Sequence, residues 1–166
     1  MRWVIVVLVF VAYFSCSENK SNLYQVPENV HLLIAGDSTK VWKIAKRYNG
    51  KTRMNMGDCF LSYRQTFKSD GTVFDNNEEN YDCGPSLRGS WAVLKDSLGY
   101  SNIRISSPQI GEIFGMEKDY KDFKIFYVSA DSLHISFLHD QFGQRRRISD
   151  YLVREDVSVS DRNFHF

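Results

Sequence analysis

The 166-residue chain has little of what helical or catalytic proteins are built from. No stretch carries apolar residues at sustained helical spacing, so a helical bundle is excluded. Only three prolines are present, and there is no internal repeat. Charge of one sign is missing too, with 21 Lys and Arg against 20 Asp and Glu. Arg2 is the only charge within residues 1–15, so removing them leaves 20 of each. A balanced surface argues against a nucleic-acid partner, because phosphate binding needs a basic excess on one face. Catalytic patterns are also lacking. Gly89-Ser90-Trp91 has none of the surrounding glycines of a nucleophile elbow. His134 and His139 are separated by an odd number of positions on one strand, so they face opposite sides and cannot share a metal. His31 and His165 lie in the expected tether and tail. No base, nucleophile and orienting group converge. The expectation is a non-enzymatic protein with no cofactor and no metal.

Long apolar runs are missing after the first fifteen residues. Met1-Arg2 is a short basic start, 3–14 is apolar and Ser15 is small. That is the layout of a secretory signal. Its core of about 12 residues is short against the ~20 a membrane-spanning helix needs; the alternative is a short anchor that is never cut. Residues 16–35 are polar and irregular with Pro27, a tether. Within them Val30-His31-Leu32-Leu33-Ile34 is a helical turn or first strand packed across one end of the domain.

What is abundant is β chemistry: 14% aromatics with recurrent Thr, Val, Ile, Tyr and Phe. Strands are predicted from Thr39 to Tyr48, closed by the hairpin pair Asn49-Gly50, and across 59–68, where Cys59, Leu61, Tyr63, Gln65 and Phe67 alternate with Phe60, Ser62, Arg64, Thr66 and Lys68. Ser69-Asp70-Gly71 is a turn, 72–74 a strand and 75–82 a solvated loop. Further strands follow at 89–96, 100–106, 123–129, 133–139 and 145–154. Residues 108–122 remain a strand with a loop, or a short lid. About eight strands at regular spacing predict an all-β fold, a small up-and-down antiparallel barrel over 36–155, with 156–166 as a tail.

Small barrels fill their interior or hold one ligand. Trp42, Tyr63, Phe67, Trp91, Phe137 and Tyr151, with Ile44, Val93, Ile103, Ile105 and Ile135, are the candidate inward residues. They would form either an apolar pocket oriented by tyrosine hydroxyls or a closed aromatic core. Arg145-Arg146-Arg147 is the densest charge cluster. It is either a site for an anion or an edge blunted against aggregation, and alternation would turn Arg146 inward or to the barrel mouth.

Two resemblances add to this reading. Tyr13-Phe14-Ser15-Cys16 resembles the lipobox of bacterial lipoproteins, of the looser kind found in Bacteroidetes, and Ser17-Glu18 resembles that group's surface-export signal. The resemblance implies cleavage before Cys16, a diacylglyceryl thioether on its sulfur and an acylated (palmitate-type) amino terminus. Such two-chain anchoring is stable, here in the cell envelope, on the periplasmic or surface face of the outer membrane. Cys16 then leaves the cysteine arithmetic. Cys59 and Cys83 remain as a disulfide pair in an oxidising compartment, or as two thiols that never meet; no Cys or His stands beside them at zinc-ligand spacing. Across 36–154, Gly36, Trp42, Cys59, Phe67 ahead of Asp70-Gly71-Thr72, Cys83, Gly89-Ser90-Trp91, Asp131-Ser132-Leu133 and Tyr151 together resemble the lipocalin-like domains of bacterial lipoproteins. That resemblance implies a membrane-tethered barrel that binds a small apolar or amphipathic molecule. The alternative is a closed-core interaction module contacting another envelope protein through 76–82 or 111–122.

Overall fold

The structure, a computed structural model, describes residues 23–141 and 143–163. The signal segment, Cys16 and His165 lie outside them. Nine strands run in chain order: β1 (Thr39–Asn49), β2 (Thr52–Arg53), β3 (Gln65–Lys68), β4 (Thr72–Asp75), β5 (Arg88–Lys95), β6 (Ser101–Ser106), β7 (Tyr120–Val128), β8 (Ser132–Gln141) and β9 (Gln144–Arg154). Every neighbouring pair is antiparallel, and β1 also pairs with β9. β2 is a two-residue extension of the Asn49-Gly50 hairpin. The other eight strands therefore close into an up-and-down barrel, in which each of them has a strand neighbour on both sides for part of its length.

Among the described residues, three short α-helices sit at the ends: α1 (Val30–Ala35), α2 (Asp58–Ser62) and α3 (Ile110–Phe114). Of the two forms expected for the 30–34 patch, the helix is the one formed. α1 buries Val30, Ile34 and Ala35 against the barrel's lower end. The Trp42 indole N–H donates to the Ile34 carbonyl at 2.8 Å, and His31 stacks on Trp91 at 4.5 Å between ring centroids. Phe67 meets Trp91 edge-on at 5.3 Å. This end is a closed aromatic plug.

Two expectations are corrected. Residues 58–62 are helical and the strand begins only at Gln65. The β1–β3 ladder stops at Trp42↔Gln65, so the segment before Gln65 has no partner strand. Without ladder bonds its amides turn inward on themselves, as in Tyr63 N–H to the Cys59 carbonyl at 3.0 Å. The C-terminal segment covers the β1 edge left bare there. The Arg162 guanidinium donates to the carbonyls of Ile44 at 2.7 Å and Leu61 at 2.9 Å. The second correction is Tyr151, which faces outward. Ile148, Asp150 and Leu152 are the buried positions of β9, and alternation puts Tyr151 on the other face. There it stacks on His134 at 3.9 Å. Residues 108–122 resolve into α3 and the start of β7, with Gly115 in the left-handed conformation ending the helix.

Candidate cavity at the upper end of the barrel

Above the aromatic plug the interior opens into a cavity of about 390 Å³. Ile44, Leu87, Phe123, Ile135, Phe137, Ile148 and Leu152 supply apolar wall. Phe60 from α2 and Ile113 and Phe114 from α3 line it at the mouth. The volume and mixed lining fall within the range of small-molecule sites, about 300–1,000 Å³ with a few placed polar groups.

Those polar groups reach the interior for local reasons. β1 slips register between Ile44 and Lys46. Trp42 and Ile44 point inward below the bulge, and above it the parity changes, so Arg47 points inward and Tyr48 outward, against Tyr151 at 5.6 Å. Asp150 follows plain alternation between Ile148 and Leu152. The two meet in a fork: Arg47 Nε to Asp150 Oδ1 and Arg47 Nη2 to Asp150 Oδ2, both 2.6 Å. Burial works against the Arg47 charge, and Asp150 more than restores it. Arg47 also lies over the Phe60 ring at 4.5 Å.

A second carboxylate, Asp75, ends β4. Its Oδ1 accepts the backbone N–H groups of Asn77 and Leu87, each at 3.2 Å. Burial nevertheless pushes its carboxyl above the usual range. Burial first, and then the nearby Asp75 carboxylate, drive the Tyr63 phenol well above its ordinary range. His139 lines the same cavity. Its Nδ1 is buried and meets no hydrogen-bond partner among the described residues. Burial, then Lys121, lowers its pKa.

The disulfide belongs to this end. Cys59 in α2 is bonded to Cys83 beyond the Asn77–Glu79 turn, and both line the cavity. It staples two mouth segments that share few ladder bonds. Closing a loop of about 25 residues is worth at most ~3.5 kcal/mol by chain entropy. Reduction should therefore lower Tm by several degrees in a calorimetric scan; an unchanged Tm with both thiols free to alkylate would show that the bridge contributes nothing.

The expected ligand residues divide three ways. Tyr63 and Phe137 line the cavity. Trp42, Phe67 and Trp91 point inward as expected but are spent in the plug below it. Tyr151 is outside. Arg145, Arg146 and Arg147 are all exposed; Arg146 is set against the cavity-lining His139 and shares the parity of Ile148 and Asp150, so it stands at the barrel mouth, one of the two positions expected. β8 pairs with β9 to Gln141↔Gln144, whereas the β1 ladder ends at Asn49↔Ile148, so this stretch has a strand neighbour on one side only and is the charge-bearing edge expected of it. Arg145 is 3.7 Å from Asp140, Arg146 contacts Gln144, and Arg147 donates to the Ser136 hydroxyl at 3.2 Å. Sequence reasoning missed Arg47, Asp75, Asp150, Phe114 and His139. Asp150 was findable, standing at an apolar-face position between Ile148 and Leu152. Arg47 was not, because the bulge that turns it inward has no mark in the sequence. Among the described residues, no three His, Cys, Asp or Glu side chains cluster as a metal site.

A family model described as a lipocalin-like domain matches residues 39–135, more than half of the chain. A crystal structure of a lipocalin-like protein from Bacteroides uniformis is similar, with a TM-score of 0.46 and 16% identity, over 73% of this chain and 97% of that one. No curated protein matches. On the family match, together with the closed eight-stranded barrel, the chain belongs to the lipocalin-like domain family.

Proposed function

We propose that this protein binds one small apolar or amphipathic molecule in the upper cavity, without catalysing a reaction, while tethered to the outer membrane through lipid on Cys16. The cavity carries the reading. Its walls are mainly apolar, and Arg47, Asp75 and Asp150 are engaged with partners and shape the site. The tether rests on the lipobox resemblance alone. Native mass spectrometry of protein purified from its own envelope tests the ligand: a bound small molecule released on unfolding is expected, and a uniformly empty protein that binds no amphiphile in titration overturns the reading. Labelled palmitate should enter the wild-type chain and not Cys16→Ser; equal labelling of both would remove the tether.

One observation favours the interaction module as a second reading. Phe126, His134, Tyr151 and Tyr48 make a continuous strip of rings across the outer face of β7, β8, β9 and β1, the first three stacked and Tyr48 edge-on to Tyr151. Phe126 and Tyr151 are 40% and 41% exposed. Solvated aromatic strips of this kind suit a protein or sugar surface.

A further inference from the structure

The barrel wall has a gap. β6 pairs with β7 as far as Ser106↔Tyr120 and β8 with β9 as far as Gln141↔Gln144. The β7–β8 ladder between them ends at Lys124↔Ser136. Residues 120–123 and 137–141 therefore diverge toward the mouth. The space between them has a volume of about 250 Å³, with Met116, Lys121, Lys124, Ser136, Phe137 and Arg147 on its walls. Phe137 also lines the interior cavity, so the two spaces share one wall.

Lys121 is the unusual residue here. It occupies an inward position of β7 with Phe123 and Ile125 and is only 8% exposed. Its Nζ lies over the rings of Phe114 at 4.3 Å and Phe137 at 5.5 Å. Among the described residues its one polar contact is the Met116 sulfur at 3.9 Å, and no carboxylate among them pairs with it. A buried ammonium without a counter-charge is costly, and burial lowers its pKa. The nearest carboxylate, Asp140, acts on Lys121 only through space and lies exposed beside Arg145 at 3.7 Å, and the other charges at the gap are already engaged. Asp122 is held by Arg104 in a fork at 2.7 and 2.8 Å. Lys124 lies over Tyr100, and Arg147 is bound to Ser136. Inside the cavity, Arg47 is already neutralised by Asp150.

We propose that the gap between β7 and β8 seats the carboxylate head of a single-chain amphiphile, on Lys121, with its tail passing Phe137 into the interior cavity. The proposal rests on the cavity holding an apolar tail. The head then enters through the side of the barrel, between two strands, and a single ammonium selects a monoanion. Arg147 stands at the outer rim and Lys121 at the inner one.

Calorimetric titration of the purified protein with dodecanoate and dodecanol, which share a tail, tests it. Dodecanoate is expected to bind about tenfold tighter, as a charge-assisted hydrogen bond supplies. Lys121→Met should bring the two ligands to near equality without weakening dodecanol, and Lys121→Arg should keep the preference. Dodecanol binding by Lys121→Met shows that this variant is folded; should it fail to fold, Arg147→Gln reads the same preference at the rim and should reduce it. Equal binding of both ligands by the wild type, or an undiminished preference in a folded Lys121→Met, overturns the head-group site and leaves the cavity reading standing. Binding of neither ligand overturns both.

Discussion

Replacing Asp150 by alanine is expected to destabilise the protein by about 3–5 kcal/mol, the cost of leaving a buried charge without its partner. Both members of the pair are shielded, with side-chain exposures of 17% for Arg47 and 6% for Asp150. Water can therefore replace little of what is lost. A domain of this size should show a fall in Tm of roughly 10–20 °C. The double variant Arg47→Met/Asp150→Leu should regain most of the loss, because a well-packed apolar pair can match a buried ion pair. That contrast separates the cost of an orphaned guanidinium from the cost of a cavity. Urea unfolding of the single and double variants measures it. A single variant within about 1 kcal/mol of wild type would mean that the guanidinium finds water or another acceptor.

Trp42→Ala should be as damaging, by about 3–5 kcal/mol for a fully buried indole. Trp42 is 0% exposed, and its N–H is what α1 hangs from. Losing it opens a void in the plug and removes the partner of the Ile34 carbonyl. The effect should be local before it is global: amide exchange in Val30–Ala35 should quicken in Trp42→Ala under conditions where β8 and β9 stay protected. Uniform acceleration across the barrel would instead show that plug and cavity form one cooperative unit. Because the cavity lies above the plug, residual folded Trp42→Ala should keep its ligand affinity, whereas the Asp150 variant should not.

The barrel was legible because its strands alternate. Leu133, Ile135 and Phe137 in β8, and Ile103 and Ile105 in β6, show the buried face directly, and the turns between strands carry Asn-Gly, Asp-Gly or Asp-Ser. Alternation failed where a strand lacked a partner or slipped register. Residues 59–63 have a strand's pattern but no neighbouring strand to bond, so they wind into α2 and take Cys59 to Cys83. The bulge after Ile44 reverses the sense of everything above it in β1. The candidate ligand residues suffered from a different blindness. Periodicity says which way a side chain points and nothing about how far along the barrel it lies. Trp42, Phe67 and Trp91 share the inward face with Tyr63 and Phe137 but sit at the other end, where the rings fill all the space. Lys121 was passed over because an interior lysine contradicts the pattern that reveals the interior.

The seam that completes the barrel joins its first long strand to its last, with Trp42 set against Arg154 and Asn49 against Ile148. β1 cannot find that neighbour until nearly the whole chain has been made, and the segment carrying Arg162 comes later still. Such distant pairing makes folding slow. During synthesis the polypeptide consequently stays open until its last strand is made. The same delay leaves β1 a bare hydrogen-bonding edge in the interim, so premature encounters with other extended chains are the hazard this topology carries.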